Sequence, residues 1–273
     1  IKKVKMEVSK IKNLLLSISR KKVERLNKAE LELWQKIPET EQNRKTVKKM
    51  AEKIRYQQGM SNRFYDGLVR SERFLKDIKK ILTEVGVPEE LAYLPHVESS
   101  FNYFATSKVG AAGIWQIMPT TAKYYKLKVS DVVDERLDPL KATKVAAKLM
   151  RDNYKILKSW PLAITAYNHG AKNLLKAVRK LKTTDFNEVI SSLTNGSFQF
   201  ASRNFYPSYL AAVEISNNKI KYFPNIISEK SNSLGEYIIP TRSKLSKIAK
   251  HLNISIEELK QYNPHLRGIA WKK

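Results

Sequence analysis

Residues 107–122 read SKVGAAGIWQIMPTTA, a glycine- and alanine-rich segment followed by an apolar run and a proline. Gly110 and Gly113 flank two alanines, and this pattern predicts a tight loop with small side chains. The residues from Pro119 onward are typical of a helix start, because proline is well tolerated in the first turn of a helix. We therefore expect a tight loop in the middle of the chain that leads into a helix.

The sequence before this loop predicts helices. Apolar residues at steps of three and four form one helical stripe near the N-terminus: Val4, Val8, Ile11, Leu15 and Ile18. A second apolar pattern, formed by Leu68, Phe74, Ile78 and Leu82, predicts one helix over 64–85. Gly86 follows it, and glycine is common at helix C-termini.

Residues after the loop continue the helical pattern. Apolar spacing predicts helices over 142–157, 162–167, 174–181 and 206–215. No convincing pair of strands precedes residue 235, so the expected fold class is mainly α. Residues 224–235 are rich in Ser, Asn, Pro and Gly and read as a linker. Beyond it, 236–239 is a candidate strand, followed by two short helices.

The chain is strongly basic. It has 51 Lys and Arg residues against 26 Asp and Glu residues, which gives a net charge of +25 at pH 7. Residues 1–50 carry 15 basic and 6 acidic side chains and residues 219–273 carry 11 and 4, so the flanks are the most densely charged parts. A nucleic-acid enzyme is expected to concentrate basic residues around its chemistry. We interpret the charge as attraction to an extended polyanion, such as a cell wall, phospholipid head groups or nucleic acid. The alternative is a cationic surface that only keeps the protein soluble.

Composition and missing motifs exclude several classes of protein. A hydrophobic content of 42% excludes wholesale disorder, and no apolar run approaches the roughly 18 residues of a membrane span. The absence of cysteine excludes disulfides, thiolate zinc sites and cysteine nucleophiles. The sequence has no Gly-x-Ser-x-Gly elbow, no His-Glu-x-x-His pair and no Gly-x-x-x-x-Gly-Lys loop. Carboxylate chemistry remains, and we expect neither a metal nor a cofactor.

Glu98 stands in an unusual setting for a carboxylate. It ends an apolar stretch just before the glycine-alanine loop, and residues 99–130 contain no Asp or Glu. A carboxyl group among apolar groups and far from like charges stays protonated to higher pH, as a general acid requires. The alternative is a helix-terminal glutamate that points into solvent.

Three ordered motifs resemble a known family. Residues 98–102 (ESSFN), 107–122 and 166–170 (AYNHG) are similar to those of the soluble and membrane-bound D type lytic transglycosylases. That family belongs to glycoside hydrolase family 23 and cuts peptidoglycan. The resemblance extends weakly over about 57–223 and implies an all-α, lysozyme-like catalytic domain with a groove for sugars.

The resemblance also implies roles for individual residues. Glu98 matches the single acid and base of the family. The positions that match groove residues, expected to bind substrate, are Ser107, Gln116, Met118, Tyr167, Asn168 and Tyr206. Tyrosine, asparagine and glutamine supply the ring faces and paired donors and acceptors that N-acetyl sugars need.

The family mechanism, as the resemblance implies it, needs no external nucleophile. Glu98 protonates the oxygen between N-acetylmuramic acid and N-acetylglucosamine, then takes the proton of the muramic C6 hydroxyl as a 1,6-anhydro ring closes. Three alternatives stay open: a hydrolysing muramidase, a catalytically silent wall-binding protein on the same fold, and a nucleic-acid binder driven by charge.

Two departures from the family pattern concern the groove. Residues 201–207 (ASRNFYP) lack an acid that the family often has there, and His169 occupies a usually small position. Both leave open which sugar modifications fit, including de-N-acetylated glycan. A local acidic cluster would favour such glycans, although helix caps and surface pairs are the more common use of acids in this arrangement. The candidate acids are Asp131, Asp134, Glu135 and Asp138.

Residues 236–265, which include 254–264 (ISIEELKQYNP), resemble the second half of a LysM glycan-binding module, small and α+β. The match is degenerate, because 241–244 (TRSK) replace the Gly-Asp-Thr that usually follows its first strand. Two roles stay open for this segment, weak glycan binding and packing alone. We therefore predict an N-terminal helical extension (1–56), a catalytic domain (57–223), a linker (224–235) and the LysM-like module (236–273).

The chain begins at Ile1, so we expect an upstream segment, with a secretory leader as one candidate. The expected location is the periplasm, the cell envelope or the exterior. The expected partners are peptidoglycan strands and, through the basic flanks, anionic wall or membrane surfaces, rather than nucleic acid.

Overall fold

The computed structural model describes residues 2–54, 60–193, 198, 200–227, 237–239, 241 and 243–271. The chain divides into two compact units, Ile1–Met60 and Ser61–Lys273. In both units the described secondary structure consists of helices joined by loops, and the loops of the second unit contain a few isolated β-bridges. The predicted mainly α fold is confirmed. None of the described helices has the length and hydrophobicity needed to cross a bilayer.

The first unit packs three α-helices around its own small core. These are α1 (Lys2–Ile18), α2 (Lys28–Trp34) and α3 (Arg44–Lys53). The predicted N-terminal helix forms, but its apolar stripe is buried only at the end: Leu15 and Ile18 are buried, whereas Ile11 is 41% exposed. Two 3-10 turns, Val23–Arg25 and Glu39–Glu41, connect the helices.

The second unit is built from twelve described α-helices, α4–α15. Their bounds are α4 Ser61–Ser71, α5 Leu75–Val85, α6 Pro95–Glu98, α7 Pro119–Tyr124, α8 Pro139–Leu157, α9 Trp160–His169, α10 Ala171–Leu181, α11 Phe186–Ser192, α12 Phe200–Asn217, α13 Lys219–Tyr222, α14 Leu245–His251 and α15 Ile256–Tyr262. Three 3-10 turns lie at Glu89–Tyr93, Glu135–Leu137 and Gly268–Trp271. Helix α8 is central, because α5 and α9 both pack along it.

The predicted helix over 64–85 is two helices, α4 and α5, with a break at residues 72–74. Leu68 and Phe74 are both buried, yet a continuous helix would turn them roughly 120° apart, since each residue advances about 100°. The break brings both side chains toward the interior. The predicted end is correct: Gly86 caps α5 with a left-handed φ of 80°.

The candidate strand of the C-terminal part is not found among the residues that the structure describes there. Residues 237–239 form no strand, and residue 236 lies outside the described residues. Helices α14 and α15 form, with Ile248, Ala249 and Leu259 buried between them. Apart from the isolated bridges, we find no strand in the described part of this segment.

Candidate active site

Glu98 ends α6, a four-residue helix that begins with Pro95. The chain then turns through Ser100 and Phe101, whose φ angles of 51° and 53° lie in the left-handed region that non-glycine residues rarely adopt. Phe101 is fully buried, and its N–H donates to the Pro95 carbonyl at 3.2 Å. Core packing thus holds a turn that costs backbone strain, as is common next to functional residues.

Two side chains fix this turn to its surroundings. The Ser99 hydroxyl donates to the Ile114 carbonyl at 2.9 Å, which ties the end of α6 to the glycine-alanine loop. The Arg70 guanidinium, from α4, donates through Nη2 and Nε to the Ser100 carbonyl at 2.7 and 3.2 Å. Both contacts were missed by sequence reasoning, although Ser99 lies inside the quoted ESSFN motif.

The Glu98 carboxyl is poorly solvated. Part of the residue's surface stays accessible, but burial of the carboxyl group raises its pKa from 4.5 to about 8, because protein solvates the ionised form less well than water does. Burial is the cause of this shift, and no second carboxylate in the described part of the chain contributes to it. At pH 7 the group is mostly protonated, as a general acid must be.

Tyr167, in α9, lies close enough to Glu98 to feel its charge. Burial, and then the charge of Glu98, raise the pKa of Tyr167 well above its usual value. The phenol therefore stays protonated, and its hydroxyl donates to the Trp115 carbonyl at 2.6 Å. The structure thus brings together the predicted acid and the predicted tyrosine.

Trp115 anchors the glycine-alanine loop to the helical core. Its ring is fully buried, and its Nε1 donates to the Thr143 hydroxyl of α8 at 2.8 Å. The loop turns at Gly113, where φ is +77° and an added Cβ would lie 2.0 Å from the Arg136 carbonyl oxygen. Only glycine fits this close backbone approach.

Two of the three predicted binding residues of this loop, Ser107 and Gln116, are held by hydrogen bonds within the loop. The Ser107 hydroxyl oxygen accepts from the Ala111 N–H at 2.9 Å, so its proton is available to a ligand. Gln116 donates from Nε2 to the Gly113 carbonyl at 2.9 Å, which leaves its amide oxygen as an acceptor. Met118 is 38% exposed immediately before α7.

Asn168 is exposed at the end of α9, and its described side-chain contact is with α12. Its Oδ1 accepts from the Ser202 hydroxyl of α12 at 3.2 Å. The same hydroxyl lies 3.4 Å from the His169 Nδ1. The structure therefore places Asn168 and His169 beside α12, in a small polar cluster that the sequence pattern did not predict.

Tyr206, the seventh predicted site residue, is half-buried within α12. Its ring packs against Phe186 and Tyr209, with centroid distances of 5.0 and 6.1 Å. These contacts are those of a packing residue, and the described interactions give it no link to Glu98.

The acids after residue 130 are used for caps and ion pairs. Asp138 caps α8 through the N–H groups of Leu140 and Lys141, each at 2.9 Å. Glu135 accepts from the Lys141 ammonium at 2.7 Å, and Asp134 from the Arg136 guanidinium at 2.8 Å. Asp131 is exposed. Asp134 and Glu135 are therefore neutralised by cations, and Asp138 is used to cap a helix. This use of three of the four acids argues against an acidic groove.

His96, two residues before Glu98, behaves as an apolar residue. It is buried, and burial followed by the charge of Arg70 lowers its pKa to about 3, so it is neutral. Its ring stacks on Phe64 and meets Phe101 edge-on, both at 4.6 Å between centroids. Neither ring nitrogen has a hydrogen-bond partner among the described residues.

The first unit contains a cavity of about 780 Å³ that includes the acid Glu30. This carboxylate is already bound, since it accepts from the Lys21 ammonium at 2.7 Å and from the Ser17 hydroxyl at 2.6 Å. Its pKa falls to about 2, so it is ionised and unsuited to act as a general acid.

Among the described residues, no group of three His, Asp or Glu side chains is placed to hold a metal ion.

Comparison with known proteins places two domains in the chain. Residues 78–190 match the family model described as Transglycosylase SLT domain. Residues 236–270 match the family model described as Lytic transglycosylase MltD, LysM-like domain. The chain therefore carries a transglycosylase SLT domain and a LysM-like domain, and the resemblance predicted from its motifs is confirmed.

Individual relatives carry related names. The chain is 29% identical over 243 residues to the membrane-bound lytic murein transglycosylase D of Escherichia coli K12, covering 87% of this chain and 51% of that one. It is 28% identical over 136 residues to the membrane-bound lytic murein transglycosylase C of Haemophilus ducreyi, covering 44% and 37%. The chain thus spans about half the length of the first relative, and less of the second.

A solved structure of an inactive mutant of the lytic transglycosylase Slt from Pseudomonas aeruginosa is also similar. It covers 53% of this chain and 24% of that one, with 18% identity and a TM-score of 0.44.

Proposed function

We propose that this chain, through its transglycosylase SLT domain, is a peptidoglycan lytic transglycosylase. It cleaves the β-1,4 bond between N-acetylmuramic acid and N-acetylglucosamine and leaves 1,6-anhydro ends. The observation that carries the proposal is the protonated carboxyl of Glu98 beside the Tyr167 phenol, within the matched residues 78–190. The names of the relatives point to the same substrate class.

The reaction needs one carboxyl group that acts twice. Glu98 gives its proton to the glycosidic oxygen as the bond from that oxygen to C1 of the muramic residue breaks. The C6 oxygen of the same residue then bonds to C1, and its proton passes to the Glu98 carboxylate. Glu98 ends as it began, protonated, and no water is consumed.

The environment of Glu98 favours this mechanism over the usual one. Glycosidases with two carboxylates use the second as a nucleophile or base. A second ionised carboxylate close by would also raise the pKa of Glu98, whereas among the described residues burial is what raises it. Ser107, Gln116 and Tyr167 supply donors and acceptors of the kind that bind sugars.

The decisive experiment digests purified sacculi with the unchanged chain and with E98Q. We expect the unchanged chain to release soluble fragments and E98Q to release none above background, because glutamine cannot donate the proton. The matched control is E84Q, which neutralises an exposed glutamate in α5 and should leave the activity unchanged. Undiminished release by E98Q would refute the proposal.

Mass spectrometry of the fragments distinguishes the remaining alternatives. Anhydro ends, lighter than reducing ends by one water, support the lytic transglycosylase reaction. Reducing ends would make the chain a hydrolysing muramidase at the same site. Binding to sacculi without any fragment release would make it a wall-binding protein.

The proposal extends to organisation and location. We assign catalysis to residues 57–223 and glycan contact to the LysM-like module at 236–273, with 1–56 as a helical extension and 224–235 as a linker. We propose that the protein works in the cell envelope after export, with peptidoglycan strands as its partner and its basic flanks attracted to anionic wall or membrane surfaces.

A further inference from the structure

A short segment near the C-terminus is paired with the catalytic part of the second unit. The Arg267 N–H donates to the Val132 carbonyl at 2.8 Å, and the Asp134 N–H donates to the His265 carbonyl at 2.8 Å. Leu266 and Val133 form an antiparallel bridge. The LysM-like module is therefore docked through backbone hydrogen bonds, rather than joined only by its linker.

Side chains reinforce this backbone pairing. The Arg267 Nη2 donates to the Asp134 Oδ2 at 2.7 Å. At a second place, the Arg73 guanidinium lies over the Tyr262 ring of α15, 5.1 Å from its centroid. Two contacts made by arginine side chains, at separate places, therefore hold the LysM-like module against the rest of the second unit.

Asp134 links Arg267 to the loop of the proposed groove, because it also binds Arg136. Its two carboxylate oxygens also accept from Nε and Nη2 of Arg136, at 2.9 and 2.8 Å. The Nη1 of Arg136 donates to the Gly110 carbonyl at 2.6 Å and is 3.4 Å from the Ile117 carbonyl. The chain of contacts thus runs from the C-terminal module to both ends of the loop that carries Ser107, Gln116 and Met118.

The burial of this network makes it sensitive to the loss of one member. The Asp134 and Arg136 side chains are 2% and 6% exposed, whereas Arg267 is 40% exposed at its rim. Buried charged groups need a full set of hydrogen bonds, because water cannot replace a missing donor. Without Arg267, the Asp134 carboxylate loses its outer donor, and the orientation of Arg136 is less constrained.

We propose that Arg267 is a positioning residue for the proposed substrate groove, acting through Asp134 and Arg136 on loop 107–118. The LysM-like module is then a structural part of the proposed sugar-binding site. This inference rests on the proposed function only for its kinetic consequence. The physical coupling between the LysM-like module and loop 107–118 does not depend on the proposed function and is tested separately.

Hydrogen exchange tests the coupling without any activity assay. In the full chain, we expect R267Q to speed amide exchange in peptides covering 107–118 by about tenfold, since a charge-assisted hydrogen bond stabilises the closed loop. The matched control is K247Q, which removes the same charge from an exposed lysine of α14. R267K, which keeps the charge, should fall between R267Q and the unchanged chain.

Equal exchange of loop 107–118 in R267Q and K247Q would overturn the inference. Thermal unfolding of each variant separates local loosening from global instability. A uniform rise in exchange across the second unit, with a matching loss of thermal stability, would also count against a specific link to the loop.

Steady-state kinetics test the consequence for the groove. We expect R267Q to raise KM about fivefold while kcat changes less than about twofold, since the loop holds substrate and Glu98 is untouched. Faster loop exchange with no Glu98-dependent activity in any variant would refute the proposed function and leave the coupling intact. Unchanged KM in an active R267Q would refute the positioning role.

Discussion

Two glutamates of this chain show how far surroundings set the chemistry of one residue type. Glu30 accepts hydrogen bonds from Lys21, Ser17 and the Asn27 N–H, and these lower its pKa to about 2. No described residue donates such a hydrogen bond to the Glu98 carboxyl, and burial raises its pKa to about 8. The first is fixed as an anion in a helix-capping structure. The second is kept neutral, ready to give a proton.

The raised pKa of Glu98 predicts a stability cost that depends on pH. Between pH 4.5 and about 8 the unfolded chain releases the proton of this carboxyl while the folded chain keeps it. Stability therefore falls as pH rises through that window. We expect E98Q to match the unchanged chain near pH 4 and to become more stable by roughly 2–4 kcal/mol at pH 8, levelling off above it.

Chemical denaturation at a series of pH values measures this effect. E84Q, at an exposed site, should stay within about 0.5 kcal/mol of the unchanged chain throughout. A stability difference between E98Q and the unchanged chain that does not vary with pH would contradict the shifted pKa.

Activity should follow the same ionisation. If Glu98 must be protonated to begin the reaction, kcat/KM for a soluble glycan should be constant below pH 8 and decline above it. The pH dependence of kcat/KM reports ionisations of the free enzyme. The decline above pH 8 should therefore give the pKa of the Glu98 carboxyl. If kcat/KM kept rising well above pH 8, protonation of Glu98 would not be what limits the reaction.

At the scale of elements, the glycine-alanine loop carries most of what positions the site. Trp115 fixes it to α8, Ser99 fixes it to the end of α6, and Tyr167 reaches it from α9. Each of these bonds joins residues that are distant in the sequence. The loop therefore gains its shape from three helices at once.

Gly113 is the tightest point of this loop. We expect G113A to destabilise the second unit by more than about 3 kcal/mol, because the added Cβ would overlap the Arg136 carbonyl oxygen. The matched control is G86A, with a similar φ of +80° and open space around the added atom, which should cost only about 1 kcal/mol. Urea unfolding compares the two, and similar costs would show that the loop can move away.

The buried tryptophan offers a second test of the loop. T143V removes the acceptor of the Trp115 Nε1, and we expect it to cost about 1–3 kcal/mol. T165V is the control, since Thr165 is equally buried and its described hydroxyl bond goes only to the Pro161 carbonyl in its own helix. Calorimetry on both variants should show a larger loss for T143V. Equal losses would mean that the indole N–H finds another acceptor.

Sequence patterns predicted the helices of this region well but not the contacts between them. Gly86 marked the end of α5 and Pro119 the start of α7, because both act through local backbone geometry. The break at 72–74 was missed, because Leu68 and Phe74 were counted in one apolar pattern although a continuous helix turns them roughly 120° apart. The neutral state of Glu98 was predicted from the absence of nearby acids, whereas its link to Tyr167 came only from the family motif.

At the scale of the whole molecule, contacts across long stretches of chain lay beyond sequence reasoning. Asp134 and Arg267 are 133 residues apart, and nothing in either local sequence signals their pairing. Asp134 was noted only as part of an acidic group that a groove might use. The fold instead uses it to join the LysM-like module to the loop of the proposed site.

The net charge of +25 predicts salt-dependent binding to an anionic wall. We expect E98Q, which does not digest its ligand, to sediment with purified sacculi at about 0.1 M salt and to be largely released near 1 M, as the screening length falls from about 10 Å to 3 Å. Chitin, a neutral polymer of the same amino sugar, is the matched ligand: binding to it depends on sugar contacts and should change little with salt. Equal salt resistance on both polymers would mean that the groove and the LysM-like module alone hold the wall. The excess charge would then serve only to keep the protein soluble.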